Sequence, residues 1–185
     1  MAYKLFNREG LEITLHDLQD KGPWCSFGVS KEDAFVEKFG SQLQIIINPE
    51  KSANIYAPDL FNENSLKVGD LKTQNTPFFQ AESRYNIDPQ YAVTFNVKDY
   101  ERYSRLYPSI EIYFWIYWEA IKFSSFNTIE VEPMEGVWFI TFPDLIKVMK
   151  DSPIHTYQQR TNDTKGNARD SYVLNLQNPL FARII

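Results

Sequence analysis

Residues 110 to 121, "IEIYFWIYWEAI", form a run of apolar and aromatic side chains broken only by Glu111 and Glu119. Ile110, Ile112, Phe114, Ile116 and Trp118 alternate with Glu111, Tyr113, Trp115 and Tyr117, and bulky residues on both sets of a period-two pattern describe a central strand covered on both faces. So many rings can also be read as a base-stacking platform, but the regular alternation favours core. A strand of this kind needs a sheet around it and elements packed above and below.

The rest of the chain supplies them. "SKEDAFVEKFG" reads as a helix: Ser30 caps it, Asp33 stands three residues on as in a capping box, and Gly40 closes it. Phe35, Val36 and Phe39 form its buried stripe. "LQIIINPE", "NIYAPDLF" and "LKVGDLKT" read as three strands joined through "NPEKSA" and "NENS", a meander. "YAVTFNV" is a fourth strand, "KDYERYSRLYP" a helix ended by Pro108, and "GVWFITF" a further strand. "PDLIKVMKD" is a helix with Pro143 at its first position, where a missing N–H costs nothing. The expected architecture is α/β, a mixed central β-sheet flanked by helices.

At 185 residues with 43% hydrophobic content, one domain over residues 1–185 can bury a core without staples. Cys25 is the only cysteine, which excludes an internal disulfide, and His16 with His155 are too few for a structural zinc site. Both histidines read as ordinary surface or half-buried residues. A reducing, cytoplasmic setting follows. "MAYKLFNREGLEITL" lacks the apolar region of a secretion signal, and residues 110 to 121 are too short to cross a bilayer, so no membrane partner is expected.

The formal net charge is −5, which argues against a broad basic surface for nucleic acid. A carboxylate cluster adds to the acidic total until cations neutralise it, so an acidic balance still permits a nucleic-acid enzyme.

"VGDLKT" is where chemistry concentrates. In a strand, Asp70 and Lys72 share one face and Leu71 takes the other. "YAPDLF" places Asp59 in the preceding strand, and pairing through "NENS" lets Asp59 and Asp70 converge at one end of the sheet. Two such carboxylates repel unless a hard cation sits between them. Glu32 lies three, four and seven residues before Phe35, Val36 and Phe39, on the sheet-facing stripe, while Glu37 falls on the other side. Asp59, Asp70, Glu32 and the Leu71 carbonyl form an oxygen set suited to Mg²⁺ or Mn²⁺. Lys72 can orient water or stabilise charge on a phosphate.

"APDL" and "VGDLKT" behind a helical glutamate resemble the PD-(D/E)XK nuclease superfamily, over about residues 30–120. The resemblance implies a restriction-endonuclease-like fold with Asp59 and Asp70 as metal ligands, Lys72 as catalytic lysine and Glu32 as helical acid. It implies a Mg²⁺-dependent endonuclease of restriction or phage type cutting DNA, with a homodimer as one arrangement. Gln74, on the Lys72 face, can contact a phosphate or nucleotide. Gln158, Gln159, Arg160, Lys165 and Arg169 supply the amide and guanidinium mix of a DNA-reading loop.

Plainer readings stay open. Chance alone yields roughly 1.6 acid-x-Lys triplets in a chain of this composition, and a second, Asp163 to Lys165, sits in a polar loop. Asp70 and Lys72 can be a salt-bridged strand pair, Glu32 a solvated first-turn acid, and residues 156–172 an exposed loop. The rival functions are a non-catalytic nucleic-acid or protein-binding module on the same fold, and a nuclease for RNA or branched DNA.

Overall fold

The computed structural model describes residues 3–13, 30–157 and 170–185. Their architecture is mixed α/β, with more strand than helix, arranged in three sheets. No described helix is long and apolar enough to cross a membrane.

The largest sheet has six strands: β2 (Ile45–Ile47), β3 (Leu60–Asn62), β4 (Lys67–Gln74), β6 (Glu111–Tyr117), β9 (Glu135–Thr141) and β12 (Ala182–Arg183). Their order is β12-β9-β6-β4-β3-β2. β2, β3 and β4 form the expected antiparallel meander. β4 then pairs in parallel with β6, Asp70 beside Ile112 and Lys72 beside Phe114, which requires the chain to cross over between them. That connection carries α3 (Ala81–Tyr85), β5 (Ala92–Asn96) and α4 (Val97–Leu106). β6 is central, flanked by β4 and by antiparallel β9.

Both faces of β6 are covered, as its alternation implies. Ile110, Ile112, Phe114, Ile116 and Trp118 enter a large core with Tyr103 of α4 and with Phe142, Leu145, Val148 and Met149 of α5 (Phe142–Lys150). On the other face Tyr113, with Leu71 and Val137, meets Phe35 and Phe39. Phe35 is fully buried, a contribution of about 2–3 kcal/mol from apolar area alone.

That second face is held by a helix begun by Ser30, whose hydroxyl accepts from the Asp33 amide in a capping box. It runs as α1 (Lys31–Phe35), a π-helical segment (Val36–Gly40) and α2 (Ser41–Leu43). Gly40 does not close it, contrary to the expectation from sequence. The stop is Gln44, left-handed at φ 54. Gly40 is needed because a Cβ there would meet the Ile45 carbonyl oxygen at 2.6 Å.

Three further expectations change. Of "NIYAPDLF" only Leu60 and Phe61 are strand, the start of β3, because Asn54 caps a turn over Tyr56 and Ala57 and Pro58 cannot continue a ladder. The run from 110 to 121 is two strands, since Trp118 and Glu119 turn their amides to Met134 and Asn75. The second, β7 (Ala120–Ser124), joins a separate sheet between β1 (Lys4–Asn7) and β8 (Thr128–Glu130). β5 likewise leaves the main sheet to pair with β11 (Asp170–Asn175), beside β10 (Ile154–Thr156).

Candidate functional site

β3 and β4 bring two of the sequence-expected acids, Asp59 and Asp70, near enough to repel each other. Asp59 stands just before β3, and its Oδ2 accepts a hydrogen bond from the Leu71 backbone amide at 3.2 Å. A strand residue projects its N–H and C=O from the same edge, so the Leu71 carbonyl faces Asp59 as well. Asp70, next along the strand, is 3% exposed.

Asp70 and Lys72 share a face, and Lys72 Nζ is 2.7 Å from Asp70 Oδ2. Asp99, in the first turn of α4, holds the same ammonium at 2.5 Å. Arg102, one turn on, is 3.4 Å from Asp99 and 3.9 Å from Asp70. Burial alone would lower the Lys72 pKa, but the Asp70 and Asp99 charges outweigh it and hold the amine protonated. Asp70 Oδ2 is buried, with the Lys72 ammonium as its ion-pair partner.

Lys51, which in the sequence is only part of a connection, occupies the other flank. Its Nζ is 2.6 Å from Asp59 Oδ1 and 3.3 Å from Glu32 Oε1. Asn48, 2% exposed, fixes this arrangement. Its Oδ1 accepts from Glu50 N and caps the 3₁₀ turn Pro49–Ser52 that carries Lys51. Its Nδ2 donates to Pro58 O at 2.9 Å, and its backbone N–H to Asp59 O at 3.0 Å.

Charge is in excess here. Burial first, and then the neighbouring Asp70, push the Asp59 carboxyl up to about 6, against the pull of Lys51. Glu32 goes the other way: although burial raises it, its own backbone hydrogen bond and Lys51 bring it below the usual glutamate range.

Glu32 is therefore next to the site without completing it. It comes from the helix on the Leu71 face, whereas Asp70 and Lys72 point to the α4 face, and Lys51 bridges Glu32 to Asp59. Among the described residues no three acidic, histidine or cysteine side chains are arranged to hold one metal ion. Two carboxylates are close, with a backbone carbonyl on the same edge. That donor set fits Mg²⁺ or Mn²⁺, which need only one or two carboxylates beside water and phosphate oxygens.

Gln74 is committed elsewhere. Its amide donates to Thr76 O at 3.1 Å and Ala92 O at 3.4 Å and accepts from Thr94 N at 3.2 Å, so it ties β4 to β5. Gln158, Gln159, Arg160, Lys165 and Arg169, with His16 and Cys25, lie outside the described residues. His155 is described: its Nδ1 lies 2.8 Å from the Tyr85 hydroxyl, among Phe78, Tyr85 and Tyr157.

Lys51, Asp99, Arg102 and Asn48 carry no functional signal in the sequence. Asn48-Pro49 is a turn signal, and Asp99 with Arg102 has the i,i+3 spacing of a helical ion pair, but neither signal says what lies opposite. Comparison of the chain with protein-family models, with curated proteins and with solved structures finds no match.

Proposed function

We propose that this chain is a metal-dependent endonuclease that hydrolyses DNA phosphodiester bonds on a restriction-endonuclease-like fold of the PD-(D/E)XK kind. The observation that carries the reading is the hydrogen bond from the Leu71 amide to Asp59, which seats one acid at the edge of the strand that bears Asp70 and Lys72. The order of elements supports it: a capped helix, the meander β2 to β4, a crossover containing α4, and β6 parallel to β4.

Asp59, Asp70 and the Leu71 carbonyl would hold the cation. When bound, Mg²⁺ or Mn²⁺ lowers the pKa of the attacking water and neutralises charge on the phosphate. Lys72, kept protonated between Asp70 and Asp99, presents positive charge where the phosphate becomes more negative. Asp99 positions that ammonium from α4, and Glu32 acts through Lys51. The test is incubation of the pure protein with plasmid in Mg²⁺, Mn²⁺ or EDTA, with Asp70→Asn alongside. Nicking that needs the metal and vanishes in the variant is expected, and metal-independent or unchanged nicking sinks the assignment. Duplex, single-stranded, junction and RNA substrates compared in the same assay identify the substrate class.

A second reading rests on the lysines. Lys51 and Lys72 already neutralise Asp59 and Asp70, as they would in a binding module without catalysis. In that case Mn²⁺ neither binds nor supports cleavage, and Asp70→Asn leaves nucleic-acid or protein binding intact.

A further inference from the structure

The ammonium of Lys51 sits on an oxygen of Asp59, one of the two carboxylates assigned to the cation. Two positive charges cannot share that oxygen without mutual repulsion. Lys51 is also well placed to leave: its side chain is 24% exposed, and its other partner, Glu32, is 26% exposed and only 3.3 Å away. The backbone under it is fixed by the Asn48 cap, so the motion needed is confined to a flexible stem.

We propose that Lys51 is a second substrate-contacting lysine, stored on Asp59 and released by the divalent cation to bind a DNA phosphate oxygen. The inference rests on the nuclease reading. Once displaced from Asp59, the ammonium stays on the same side of β3 as the carboxylates, tethered by Glu32. A lysine there adds a point charge for phosphate without demanding the planar geometry of arginine.

Three measurements test it. The first is acetic anhydride labelling of the wild-type chain, read by mass spectrometry at Lys51. Mn²⁺ should raise Lys51 labelling several-fold, while unchanged labelling at saturating Mn²⁺ overturns the release. The second is Mn²⁺ affinity by calorimetry. Lys51→Met should bind roughly tenfold more tightly than wild type, with Lys51→Arg close to wild type. Equal affinity for Lys51→Met and wild type overturns the storage role and leaves the metal reading standing. Absence of Mn²⁺ binding in every variant overturns that reading and this inference with it. The third uses the Lys72→Ala background with Mn²⁺ and a DNA duplex. Adding Lys51→Met should reduce the slope of log K against log salt by about 0.9, the share of one phosphate contact. An unchanged slope removes the phosphate contact.

Discussion

The carboxylate of Asp59 is fastened to the backbone of Leu71, its Oδ2 3.2 Å from that amide nitrogen. One acid is thereby locked to the strand that carries the other, because Leu71 immediately follows Asp70. Asp70 in turn is held by the side chains of Lys72 and Arg102.

Asp70→Asn tests the centre of this arrangement. Asp70 is nearly inaccessible and its Oδ2 faces Lys72, so the neutral amide leaves Lys72 with Asp99. We expect a folded protein less stable by about 1–3 kcal/mol, the range for a broken buried polar contact. Mn²⁺ binding should be lost and cleavage fall at least about 100-fold. Chemical denaturation, calorimetry and plasmid nicking measure these in turn, and retained Mn²⁺ affinity would remove Asp70 from the metal site.

Lys72→Ala separates binding from chemistry. Both metal carboxylates remain, so Mn²⁺ should still bind, while the charge facing the phosphate disappears and cleavage drops by about 100-fold or more. Single-turnover nicking at saturating Mn²⁺ is the measurement, and turnover at the wild-type rate would take the lysine out of the mechanism.

Much of this cluster was legible in the sequence because short-range rules generate it. The period of a strand places Asp70 and Lys72 on one face, and the brief turn from Glu63 to Leu66 brings Asp59 alongside. The capping box at Ser30 and the stripe Phe35–Phe39 likewise follow from local spacing. Lys51 and Asp99 were not legible, since their partners lie 8 and 27 positions away along the chain. Whether they meet depends on how the 3₁₀ turn and α4 pack. The split of residues 110 to 121 was hidden for a similar reason: apolar alternation continues through Trp118, while the break is made by the distant amide acceptors Met134 and Asn75.

Stability measured in EDTA should carry a signature of Asp59. Its carboxyl titrates at about 6 in the fold against an ordinary value of 3.8. The folded state therefore binds more protons than the unfolded state between those values. This contribution is fully present below about pH 4 and is lost as pH rises through about 6, on the order of 3 kcal/mol. In EDTA, the stability of Asp59→Asn minus that of wild type should grow from pH 4 to pH 7. Mn²⁺ competes with the same proton, so the stabilisation it confers on wild type should increase over that interval. A flat difference between variant and wild type in urea titrations across this range would refute the assigned titration.

Asn48 offers a test that touches no reacting group. It is buried, caps the turn carrying Lys51 through Glu50 N, and clamps the segment before β3 through Pro58 O. Asn48→Ala leaves the Pro58 carbonyl and the Glu50 amide without these partners, a loss of about 2 kcal/mol from the cap and the buried bond together. Because the same side chain clamps the segment that carries Asp59 through Pro58 O, the variant should also bind Mn²⁺ more weakly. Asn48→Asp keeps the capping oxygen but cannot donate to Pro58, so it should recover part of the stability and little of the metal affinity. Denaturant midpoints and calorimetric Mn²⁺ titrations on the pair decide it. Wild-type Mn²⁺ affinity in Asn48→Ala would mean that the Leu71 amide and the Asn48 backbone N–H position Asp59 without the Asn48 side chain.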